Sequence, residues 1–238
     1  DRNDPSKLFG LLTIPLPTAY DRPGPSGPVS PAALARAIDE RIRFSVERDE
    51  FSGAILITTP QGDVAYENAF GLANAESGVV NHPDTRFHLG SADKSFTALM
   101  IGRLATEGRL SYQSTLAEAL PDYPDAEFAR ACTIGHLLTH SAGLGGLFER
   151  EGWDRTRRYE TMAEILPVFA HEPTRFAPGA RSSYSNEGFI VLGAVIEAVS
   201  GRSWGDFVTE RIFEPLGMER TVALGRMTET LDNVASPR

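Results

Sequence analysis

Only two stretches of this sequence read clearly as strands, and that scarcity constrains the fold more than any other feature. Residues 53–59 (GAILITT) are rich in β-formers, Pro60-Gln61-Gly62-Asp63 supplies a turn, and residues 64–70 follow as a second extended run. Together they predict one antiparallel hairpin. A lone hairpin is marginal in water, so it needs a helical layer or further strands to cover it.

Helical patterning fills most of the remaining chain. Ser30-Pro31 is a helix start, with Ser as N-cap and Pro in the first turn. Leu34, Ile38, Ile42 and Val46 recur at helical spacing and predict a helix ending near Asp49. Residues 71–83 read as irregular, and 87–89 as a short extended run. From Ser91 the period turns helical again, with Phe96, Leu99, Met100 and Leu104 as the apolar stripe and Gly108 as the closing residue. Shorter helical pieces are predicted over 116–120 and 133–140, and an amphipathic one over 161–170. Residues 186–200 form a strong helix with Phe189, Leu192, Ile196 and Val199 on one face, closed by Gly201. Ser203 caps a last helix carrying Trp204, Phe207, Val208 and Ile212, which ends at Pro215-Leu216-Gly217. The expected fold class is α+β: an antiparallel sheet flanked by helices, with a helical subdomain over roughly 109–200.

Composition narrows the function. A hydrophobic content of 41% over 238 residues supports a sizeable core. Residues 1–29 are rich in Pro and Gly without a sustained period and read as an extended arm, which leaves 30–238 as the domain. The net charge of -9 disfavours a nucleic-acid partner. No window approaches the roughly 18 apolar residues of a membrane helix, so no integral membrane segment is expected. The single cysteine, Cys132, excludes an intramolecular disulfide and a cysteine-only metal site, and reads as a small buried apolar residue. His136 and His140 stand at i, i+4, a spacing that can face a metal, but no third ligand is evident nearby. Packing and capping are the expected roles, and no metal or organic cofactor is expected. Glu149, Glu151 and Asp154 with Arg150 and Arg155 read as a solvated mixed-charge loop, with Trp153 and Tyr159 as packing aromatics.

The residues that carry chemistry begin with Ser91-Ala92-Asp93-Lys94. Positions i and i+3 share a helix face, so the Lys amine can reach the Ser hydroxyl. The positive end of the helix disfavours an ammonium there, and a neutral amine is a competent base for a Ser proton. The Ser91 N–H, at the helix start, is a candidate oxyanion donor. Lys94 also stands out because Lys7 is the only other lysine among 23 Lys and Arg. The motif alone also fits an N-cap serine followed by an exposed lysine. Tyr184-Ser185-Asn186 precedes the strong helix. A tyrosine can relay a proton and an Asn amide can hold a substrate amide, although Asn186 as N-cap and Tyr184 as a surface aromatic fit equally well.

The stretch FHLGSADKSFTALMIGRLATEGRLS, then IGHLLTHSAGL, FAPGARSSYSNEGFIVLGAVIEAVSG and FEPLGM, in that order, resembles the class C β-lactamase-like serine hydrolases. That group includes D-alanyl-D-alanine carboxypeptidases, D-aminopeptidases and esterases with a β-lactamase fold. The resemblance implies a β-lactamase/transpeptidase-like fold and an acyl-enzyme route on an amide, β-lactam or ester carbonyl. It makes Ser91 the nucleophile, Lys94 its base, Tyr184 the proton shuttle and Asn186 the substrate-positioning amide. It implies a small-molecule or peptide substrate and a periplasmic or secreted location.

The family's third motif, Lys or His, any residue, then Gly, is not found: no Lys follows Lys94 and the last His is His171. The family's chains also normally continue past FEPLGM. The expectation is an incomplete domain whose remaining strands lie beyond Arg238, and these residues by themselves, lacking the third motif, are expected to hydrolyse little. The alternative is a ligand-binding or assembly module that keeps the fold without turnover.

Overall fold

A computed structural model describes residues 30–147, 159–223 and 233–236, which divide into two compact units: 30–88 with 233–236, and 89–147 with 159–223. The Pro/Gly-rich 1–29 and the charged residues 149–155 with Trp153 lie outside the described residues.

In the first unit, helix α1 (Pro31–Glu47) starts as its cap residue dictates: Ser30 Oγ accepts the Ala33 N–H, and Pro31 occupies the first turn. The chain leaves it through Asp49, at φ 58°. Strands β1 (Gly53–Thr58) and β2 (Val64–Phe70) pair antiparallel from Gly53↔Phe70 to Thr58↔Val64, with an irregularity between Ile57 and Thr58. A second hairpin follows where the sequence reads as irregular, β3 (Leu72–Asn74) with β4 (Val79–Val80). Strands of two or three residues are too short to show a period. The extended run at 87–89 forms no strand. Arg86 makes an isolated parallel bridge with Val234 instead.

Polar clamps hold this unit. The Asp39 carboxylate on α1 accepts the Tyr66 hydroxyl at 2.6 Å and the Asn68 amide at 3.3 Å, fixing the helix on β2. Burial and that carboxylate raise the Tyr66 phenol above its ordinary pKa. Asn81 Nδ2 donates to Ser52 Oγ and to the Phe70 carbonyl, both at 2.8 Å.

The second unit is helical. A 3₁₀ turn (Gly90–Asp93) leads into α2 (Lys94–Thr106), followed by α3 (Leu116–Ala119), α4 (Ala126–Ala131) and α5 (Ile134–Leu138). The amphipathic stretch expected over 161–170 is a 3₁₀ turn, Ala163–Ile165, continued by α6 (Leu166–Phe169). Helix α7 (Asn186–Ser200) is the centre of the unit and touches α2, α3, α5, α6 and α8. Helix α8 (Trp204–Val208) runs on as a π-helical turn, Thr209–Phe213.

Among the described residues the connected hydrophobic cluster lies in this unit, with Met100, Ile101, Leu104, Leu137, Leu192 and Ile196 fully buried. Along α2 the buried face is Thr97, Met100, Ile101 and Leu104, whereas Leu99, expected in the apolar stripe, is 59% exposed. Helix α2 is apolar over much of its circumference, so period alone could not choose between adjacent faces. Cys132 is buried as expected, and burial pushes its thiol up to about 12, outside the reactive range. Among the described residues no helix is long and apolar enough to cross a membrane. The α+β class expected from the patterning is the observed one.

Candidate active site

All four residues singled out by the two motifs lie in the helical unit. Ser91 sits on the 3₁₀ turn rather than in the first turn of the α-helix, and Lys94 is the first residue of α2. The change sharpens the geometry. With three residues per turn, side chains at i and i+3 eclipse, so the amine stacks over the hydroxyl. Ser91 Oγ and Lys94 Nζ are 3.2 Å apart.

The third group arrives from a distant segment. The Tyr184 hydroxyl donates to Ser91 Oγ at 2.6 Å across 93 positions of sequence. Lys94 Nζ also lies 5.3 Å from the centroid of the Tyr184 ring and 5.7 Å from that of Phe189. The serine oxygen is thus the shared vertex of an amine and a phenol. With the amine charged, both neighbours donate to it. With the amine neutral, its lone pair is placed to take the serine proton. The Ser91 N–H has no partner among the described residues, which leaves it available to an oxyanion.

Asn186 begins α7 but is not its cap: Ser185 Oγ accepts the Gly188 N–H at 3.0 Å. The Asn186 amide makes no hydrogen bond among the described residues, to the other three or to anything else. Tyr184 is 55% exposed, so it is at once a surface aromatic and part of the cluster.

What holds Tyr184 is the segment after α5. Gly179 donates to the Ser141 carbonyl at 2.8 Å, Ser182 Oγ to the Thr139 carbonyl at 3.0 Å, and Ser183 to the His140 carbonyl at 2.8 Å. Ser185 then donates to His140 Nδ1 at 3.1 Å. From below, the buried Glu187 carboxylate accepts the Ser185 hydroxyl at 2.9 Å and the Leu147 N–H at 2.8 Å. Sequence reasoning passed over Glu187, whose only signal was a carboxylate at the second position of an apolar helix.

The two histidines have the packing and capping environments expected of them. His136 Nδ1 accepts the Thr133 N–H in a capping box. The His140 imidazole lies 4.7 Å from the Tyr184 ring and 5.1 Å from the Phe189 ring, centroid to centroid. Burial, aided by the Lys94 charge, lowers its pKa, so the ring is neutral at pH 7 with Nδ1 as acceptor. Among the described residues no group of three or more His, Cys, Asp or Glu is placed to hold a metal ion.

Against known proteins, the family profile described as Beta-lactamase matches residues 35–225. The chain is 33% identical over 186 residues to penicillin-binding protein 4 of Amycolatopsis lactamdurans, covering 76% of this chain and 48% of that one. It is 34% identical over 200 residues to esterase EstB of Burkholderia gladioli, covering 79% and 51%. Among solved structures, a penicillin-binding protein from Bacillus halodurans superposes with a TM-score of 0.69 at 32% identity, covering 81% of this chain and 58% of that one. The chain spans about half the length of the curated relatives it matches.

Proposed function

The chain belongs to the beta-lactamase family, and on that premise we propose that it is a serine hydrolase working through an acyl-enzyme on an amide, β-lactam or ester carbonyl. The observation that carries this is the shared vertex: Ser91 Oγ within hydrogen-bonding reach of both Lys94 Nζ and the Tyr184 hydroxyl. Ser91 Oγ forms the bond to the carbonyl carbon while Lys94 takes its proton. Tyr184 gives its hydroxyl proton to the departing nitrogen or oxygen as the acyl bond breaks and is reprotonated by the proton that Lys94 took from Ser91. Water then attacks the ester on Ser91, giving a proton to the Lys94–Tyr184 pair, and the same pair returns a proton to Ser91 Oγ as the acid leaves. Asn186 contacts the substrate amide. These steps use side chains alone and require no metal or cofactor.

The two relatives named for penicillin binding and for esterase activity support the breadth of the carbonyl class. The substrate is a small molecule or a peptide, and the setting is periplasmic or secreted. A fluorescent penicillin and a fluorophosphonate probe test the reading. Covalent labelling that disappears in Ser91→Ala is the expected result. Absence of labelling of the full-length protein by both probes, where a control hydrolase labels, would point to a ligand-binding module that keeps the fold without turnover.

A further inference from the structure

We infer that His140 is a positioning residue, which sets the Tyr184 phenol over Ser91 by bonding the backbone on both sides of that tyrosine; this rests on the proposed hydrolase reading. Tyr184 is 55% exposed, so burial does not fix its place. Its two neighbours are fixed instead. The His140 carbonyl takes the Ser183 N–H at 2.8 Å, and the His140 ring takes the Ser185 N–H at 3.1 Å. The same ring lies at 4.7 Å and 32° against the tyrosine, and at 5.1 Å from Phe189. One residue thus meets the segment through its main chain, its ring nitrogen and its ring face.

The backbone of His140 is unusual in a way that serves this contact. Its φ of 55° puts it in the left-handed region, which a residue with a Cβ adopts at a cost of roughly 1 kcal/mol. Local bonds hold it there: the His140 N–H to the Leu137 carbonyl at 3.2 Å, and the Ser141 N–H to the His136 carbonyl at 2.8 Å. Strain held by its surroundings next to reacting groups is a pattern expected of functional sites. A shift of about 1 Å at Tyr184 is enough to break its bond to Ser91 and to lower the rate by roughly 100-fold.

Two substitutions separate the acceptor from the backbone. His140→Asn tolerates the left-handed conformation and places Oδ1 close to where Nδ1 sits. His140→Gly removes the strain altogether but supplies no acceptor. The full-length protein and both variants are compared by two readouts. In hydrogen exchange followed by NMR, the Ser185 amide is expected to be protected in the parent and in His140→Asn, and roughly tenfold faster in His140→Gly.

In fluorophosphonate labelling, His140→Gly is expected to lower the maximal rate by at least about tenfold, with the half-saturating concentration nearly unchanged. His140→Asn is expected to recover most of that loss. A His140→Gly variant that labels as fast as His140→Asn, or that keeps the Ser185 amide protected, overturns the inference. A full-length protein that shows the expected exchange pattern but never labels refutes the hydrolase reading and leaves the positioning role supported.

Discussion

Each unit is stabilised internally by a different kind of contact. In the helical unit, apolar side chains such as Met100, Ile101, Leu192 and Ile196 have no exposed surface at all. In the hairpin unit, Tyr66 and Ala73 are the buried hydrophobic residues among those described, while Leu56 and Val64 are 60% and 61% exposed and Val79 and Val80 about half so. There the Asp39–Tyr66 and Asn81–Ser52 hydrogen bonds do the holding. All three members of the Ser91 cluster belong to the helical unit. The comparison teaches that the exposed Ser91 cluster takes its footing from elements anchored in a densely packed core, whereas the hairpin unit relies on polar clamps.

Truncation is the sharpest way to break that contrast. Leu192→Ala, at the centre of α7, is expected to destabilise the helical unit by about 3–4 kcal/mol, seen as a lower midpoint in urea followed by tryptophan fluorescence. Gly143→Ala comes next, at roughly 2–3 kcal/mol. Gly143 has φ 84°, and a Cβ there would stand 2.1 Å from the Phe176 carbonyl oxygen. The same urea titration checks it.

Acid is a gentler probe. The His140 pKa is lowered in the fold, so the unfolded chain binds the proton first as the pH drops. This contribution is whole above the unfolded value of about 6.5 and is lost as the pH falls from there toward the folded pKa. Urea midpoints between pH 7.5 and 5 are expected to fall more steeply in the parent than in His140→Asn. The smallest effect is expected from Leu56→Ser in the hairpin unit, within about 0.5 kcal/mol. A loss there comparable to that of Leu192→Ala would erase the distinction between the units.

The elements with long, clean periods were legible in the sequence. The cap at Ser30, the β1–β2 hairpin with its turn, and α7 with its left-handed Gly201 all follow from local chemistry. The short elements were not: β3 and β4 have too few residues for a pattern, and α4 is six residues long. The 3₁₀ turn under Ser91 was hidden because the pattern of α2 does not distinguish three from 3.6 residues per turn over so short a run. For the site, the Ser91–Lys94 spacing announced itself, since it is local. The bond from Tyr184 depends on a segment 93 positions away and rested on resemblance. His140 carried only a spacing to His136, and its bonds to Ser183 and Ser185 exist only once two loops lie side by side.

The base role of Lys94 is tested most directly by the acylation rate of Lys94→Ala against the parent, with peptide mapping of the adduct formed by a p-nitrophenyl ester or a fluorophosphonate. The account predicts an adduct on Ser91 in the parent and a loss of at least about 10³-fold in rate without the amine. An adduct on any other side chain, or a Lys94→Ala chain that acylates at the parental rate, would contradict it.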